Sequence, residues 1–130
     1  MKRESMHLLK RSQLQHECNT LRRLLLFLKE ENVALKNRLS QILKESFNKN
    51  LLEEAETFHS AFIKADERMH LLRSDLTGLD SLIEKALNGD YNESSEIDRT
   101  LRELRHNITS VENQFIKMQS DFNSYFYEKI

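Results

Sequence analysis

Residues 46–50 read Ser46-Phe47-Asn48-Lys49-Asn50, and the fold turns on whether this short stretch is helix or turn. It holds no Gly and no Pro, so nothing in it forbids a helix. Asn50 followed by Glu53 has the spacing of a capping box, with Asn in place of the usual Ser or Thr. The apolar phase also shifts across the stretch. Together these signs place a tight turn at 47–50. A competing pattern runs through it: Leu39, Leu43, Phe47, Leu51, Ala55 and Phe58 step by 4, 4, 4, 4 and 3. That is close to an eleven-residue repeat and suits one uninterrupted helix.

On the N-terminal side, Leu14, Leu21, Leu28, Leu35 and Ile42 recur every seven residues, and Cys18, Leu25, Asn32 and Leu39 form a second row. The two rows occupy the d and a positions of a heptad repeat. On the C-terminal side, Ala55, Phe58, Phe62, Ala65, Met69, Leu72, Leu76, Leu79, Ile83 and Ala86 step by three or four. A third run, Ile97, Leu101, Leu104, Ile108, Val111, Phe115, Met118, Phe122 and Tyr125, does the same. Such steps mark one face of a helix, whereas strands need alternation at two, which no segment sustains.

Between the second and third runs, Asn88-Gly89 supplies a residue suited to the left-handed helix terminus. Asn92, Ser94 or Ser95 can cap the helix that follows. Gly78 lies beside the second row and costs about 1 kcal/mol against Ala without breaking the stripe. The expected architecture is all-α: one domain over 1–130, an antiparallel, up-down-up, coiled-coil-like three-helix bundle. Its helices fall at about 5–46, 50–88 and 94–129, and the variant fuses the first two into one long helix. The composition agrees. There is no Pro in 130 residues and Gly only at two positions, too few for a turn-rich sheet protein.

Charge divides by segment. Residues 1–46 hold ten basic and five acidic residues, whereas 47–89 and 90–130 each hold five and eight, for a total of −1. A basic first helix beside two acidic ones reads as internal complementarity, which sets helix pairing more than it adds stability. The alternative reading is nucleic-acid binding through the basic first helix, using Arg11, Arg22, Arg23, Lys29, Lys36 and Arg38, against which the net charge argues.

Cys18 is the single cysteine, so it forms no internal disulfide and no thiolate metal cluster. That fits a reducing, cytoplasmic setting. The longest apolar run, Leu24 to Leu28, is far short of the roughly 20 residues of a membrane span. No secretion signal is visible, and the glycosylation-type triplets at Asn92 and Asn107 read as chance. There is no phosphate-binding glycine loop, nucleophile elbow or zinc-protease motif. No enzyme, cofactor or small-molecule substrate is expected.

Four features carry the remaining signal. Leu14 to Leu35 at spacing seven, with Asn32 in the other row, resemble a leucine zipper, in which such an Asn pairs with its twin. The preceding residues, however, lack a DNA-reading basic pattern. The run Leu24-Leu25-Leu26-Phe27-Leu28 covers every side of a helix, so Leu24 or Phe27 should face outward and meet another surface. Glu56-x-x-His59, Glu67-x-x-His70 and Glu103-x-x-His106 have the spacing of di-iron bundle ligands, but they lie off the apolar stripes and read as surface residues. Phe115, Phe122, Tyr125, Phe126 and Tyr127 read as an aromatic plug against the turn holding Phe47, Leu51 and Leu52, with Phe126 and Tyr127 as a candidate docking patch. The functional expectation is a non-enzymatic interaction or scaffold protein that forms a homodimer through the first helix. The candidate interface is Leu14, Leu21, Leu24, Phe27, Leu28, Asn32 and Leu35.

Overall fold

The computed structural model describes residues 2–46, 48–87 and 94–129, with side-chain surroundings for 10–46, 48–86 and 95–127. The chain forms three helices, α1 (Lys2–Glu45), α2 (Lys49–Leu87) and α3 (Ser94–Lys129). There is no strand among the described residues. α1, at 44 residues, is about 66 Å long.

α1 ends at Glu45 and α2 begins at Lys49, so the two are separate helices and not the fused one. The cap differs from the expected one. Asn48, and not Asn50, terminates the turn: its side-chain Oδ1 accepts the Asn50 N–H at 3.0 Å. Its backbone carbonyl accepts the Leu52 N–H at 3.1 Å, the first bond of α2. Asn50 is already helical. An Asn side chain that bonds its own backbone two residues on competes with continued helix, which is why a stretch free of Gly and Pro still turns. At the other boundary, Ser94 and Ser95 already lie in α3, while Asn88, Gly89 and Asn92 lie outside the described residues.

Side-chain pairs fix the topology. Between α1 and α2, Arg11 meets Glu84, Arg22 meets Asp80 and Lys36 meets Asp66. Numbers rise on one helix as they fall on the other, so the two run antiparallel. Between α1 and α3, Lys10–Asp98, Glu17–Arg105 and Glu31–Gln119 are each separated by 88 residues, so these helices run parallel in a constant register. Arg68 on α2 meets Gln114 on α3. The result is the up-down-up three-helix bundle. Every ion pair among the described residues has one partner on α1, and in four of the five that partner is basic. All are at least partly exposed, so each is worth under about 1 kcal/mol and mainly sets register.

Stability comes from the three stripes. Leu25, Leu28, Leu35 and Leu39 of α1 meet Phe62, Met69, Leu76, Leu79 and Ile83 of α2 and Leu101, Leu104, Ile108, Phe115 and Phe122 of α3 in one core. Near the α1–α2 turn this core becomes aromatic. Phe58 packs edge-on to Phe122 at 5.4 Å between ring centres and lies 5.7 Å from Phe126. Phe122 touches Phe62 at 5.5 Å and Phe126 at 4.7 Å. Leu51 is buried nearby in sequence, Leu52 is exposed, and Phe47 lies outside the described residues.

Gly78 sits inside α2, and a Cβ built on it would meet nothing within 4 Å. Gly78→Ala therefore removes backbone entropy from the unfolded chain without a clash. It should stabilise the protein by about 0.5–1 kcal/mol, read as a higher urea midpoint at unchanged slope.

Candidate interaction surface

The run Leu24–Leu28 occupies five consecutive helical positions, 100° apart. Leu25 and Leu28 define the core direction and are 3% and 2% exposed. Leu24 lies about 70° from that direction, and Leu26 and Phe27 about 130° from it. Leu24 accordingly packs against the core edge. Leu26 and Phe27 face out, at 50% and 55% exposure, and Val33 follows one heptad after Leu26 at 42%.

Of the expected interface residues, Leu14, Leu21 and Leu24 are half-buried against the chain's own core, and Leu28 and Leu35 lie within it. Asn32 is fully buried too. Its Nδ2 donates to the Phe62 carbonyl oxygen at 3.0 Å and to Asp66 Oδ1 at 2.7 Å, and Lys36 Nζ donates to Asp66 Oδ2. Leu28, Asn32 and Leu35 are thus spent inside the chain and leave no surface for a second copy. The reason is that the zipper-like rows face α2 and α3. The zipper reading, in which Asn32 meets its twin, gives way to a bond within one chain. Asn32 Oδ1 has no partner in this buried layer. The amide therefore fixes the α1–α2 register at some cost in stability.

The docking patch is also corrected. Phe126 is fully buried, because Tyr125 and Phe122 on its own helix and Phe58 on α2 enclose it. Tyr127 remains, at 81% exposure and alone.

Leu26 and Val33 are the residues that the sequence reading missed, although the heptad position of Leu26 already placed it opposite the core. The outer face of α1 now has a definite composition. Arg23 and Glu30 run down its middle, seven residues apart. Flanking them are two rows without charge, Asn19-Leu26-Val33-Ser40 and Thr20-Phe27-Ala34-Gln41, all exposed. Ile63 and Leu71 on α2 and Ile116 on α3 are also exposed.

Cys18 is fully buried, and burial first, then the nearby Asp80 charge, pushes its thiol up to about 11. It stays protonated at neutral pH, poor as nucleophile or ligand. Glu56, His59, Glu67, His70, Glu103 and His106 are all exposed. No group of three or more His, Cys, Asp or Glu among the described residues could hold a metal ion. Between α1 and α2 an open groove of about 350 Å³ has Leu25 and Met69 in its floor and Arg22, Lys29, Asp66, His70 and Arg73 around it. No described helix is long and apolar enough to cross a membrane. Comparison with known protein families, curated proteins and solved structures finds nothing that this chain matches.

Proposed function

We propose that this chain is a non-enzymatic helical interaction module that self-associates as a homodimer through α1 and serves as a scaffold or adaptor. The observation that carries the reading is the cluster of Leu26, Phe27 and Val33. They stand exposed within eight residues on the outside of α1, whose inner rows are already filled by its own bundle. Grouped apolar side chains on an otherwise polar surface mark contact sites, whereas scattered ones do not. The buried, unreactive Cys18 fits a reducing, cytoplasmic setting.

The second reading, nucleic-acid binding through the basic residues of α1, loses support from the ion pairs. Arg11, Arg22 and Lys36 are engaged by carboxylates of α2, and Arg38 donates to Asn123. Only Arg23 and Lys29 of the six remain without a partner among the described residues. Phosphate binding draws on a dense row of free cations, and the pairing of the other four side chains works against it.

The doubly substituted chain Leu26→Glu with Phe27→Glu tests the proposal. Both side chains are about half exposed, so helicity and thermal midpoint should change little. The assembly, measured by light scattering, should fall to the 15.5 kDa monomer. Loss of helicity would make the two residues part of the fold, and unchanged assembly would place self-association elsewhere.

A further inference from the structure

The charge pattern of the outer α1 face points to one arrangement, and we infer that two copies pair α1 against α1 antiparallel, with a two-fold axis crossing between Leu26 and Phe27. The inference rests on the self-association proposed above and adds its geometry. A symmetric dimer brings one patch against itself, so the patch must be its own complement. Arg23 and Glu30 are opposite charges on one line, equidistant from the 26–27 step, and neither pairs within the chain among the described residues.

An antiparallel two-fold at that step faces Arg23 with Glu30 of the second copy, and Glu30 with the second copy's Arg23. A parallel, in-register pair would instead oppose Arg23 with its twin and Glu30 with its twin, which is repulsive. The flanking rows agree with the same centre. An antiparallel two-fold keeps each row against itself, so Leu26 meets Leu26 of the second copy, and Phe27 meets Phe27. Thr20 then lies across from the second copy's Ala34, and Asn19 across from its Val33. These pairs share a centre to within one residue, about 1.5 Å along the axis. No charge in either row is left against an apolar side chain. The apolar contact supplies affinity, while the two ion pairs select direction and register.

Charge exchange tests the arrangement on the full chain. Arg23→Glu alone and Glu30→Arg alone each place two like-charged contacts across the axis. Each should raise the dimer dissociation constant at least about tenfold. Both sites are exposed, so far-ultraviolet circular dichroism should stay unchanged. The double exchange Arg23→Glu with Glu30→Arg should restore dimerisation. An equimolar mixture of the two single variants should also sediment as a dimer, since each supplies what the other lacks. An unmodified chain that stays monomeric overturns the self-association reading itself. An unmodified chain that dimerises, with both single variants dimerising equally well or with no recovery on mixing, leaves self-association standing and overturns this pairing.

Discussion

Phe122→Ala is expected to cost about 3–5 kcal/mol of stability, enough to lower the thermal midpoint by about 10–20 °C. Phe122 is fully buried. It is the ring through which α3 touches α2 twice, edge-on to Phe58 at 5.4 Å and against Phe62 at 5.5 Å, with the Phe126 ring tilted beside it at 4.7 Å. Truncation removes its burial and three ring contacts at once, and helices on two sides limit how far the cavity can close. Tyr127, five residues on and 81% exposed, is the internal control: Tyr127→Ala should fall within about 0.5 kcal/mol of the unmodified chain. Urea unfolding followed by circular dichroism measures both. Similar losses at the two positions would mean that the aromatic cluster is not the closing element of the bundle.

Asn32→Asp is expected to be comparably damaging, for an electrostatic reason. The amide donates to the Phe62 carbonyl and to Asp66. A carboxylate there has no proton to donate, and it sets a second negative charge beside the partly exposed Asp66 from a side chain that is itself fully buried. Lys36, already engaged by Asp66, offsets only part of this. A loss of about 3–5 kcal/mol at pH 7 follows from an uncompensated buried charge. The new carboxyl must then titrate higher in the folded chain than in the unfolded one. The folded state binds the extra proton first, so the penalty shrinks as pH falls. Asn32→Leu should act in the opposite direction, gaining stability by removing the unpartnered Oδ1 while loosening the α1–α2 register. A pH-independent loss in Asn32→Asp would show that Asn32 acts through packing alone.

The bundle was legible because helical phase is a local signal. Every stripe residue from Phe62 to Ile83 was in view as a step of three or four, and each such row found the core. The turn was legible in place but not in detail, since the sequence between 46 and 50 offers two Asn residues and only the bonded geometry selects Asn48 over Asn50. The candidate interface was legible least. Leu28, Asn32 and Leu35 form a zipper-like pattern whether their partner is another chain or the chain's own helices, and periodicity does not distinguish the two. The structure resolves this by filling the inner rows from α2 and α3. What α1 leaves exposed on its outer side is Leu26, Phe27 and Val33. Phe126 was misplaced because the stripe was continued from Phe122 to Tyr125 by a step of three; the step of four, to Phe126, points into the core, where its ring meets Phe58, while Tyr125 is only partly buried.

Sedimentation equilibrium of the unmodified full chain, over about 1–100 μM at physiological salt, tests the central claim most directly, because that range spans the affinities of ordinary reversible dimers. The account predicts a weight-average mass that climbs with concentration from 15.5 kDa toward twice that value and then levels off, as a closed two-fold dimer must. A mass that stays at 15.5 kDa across the whole range would contradict it.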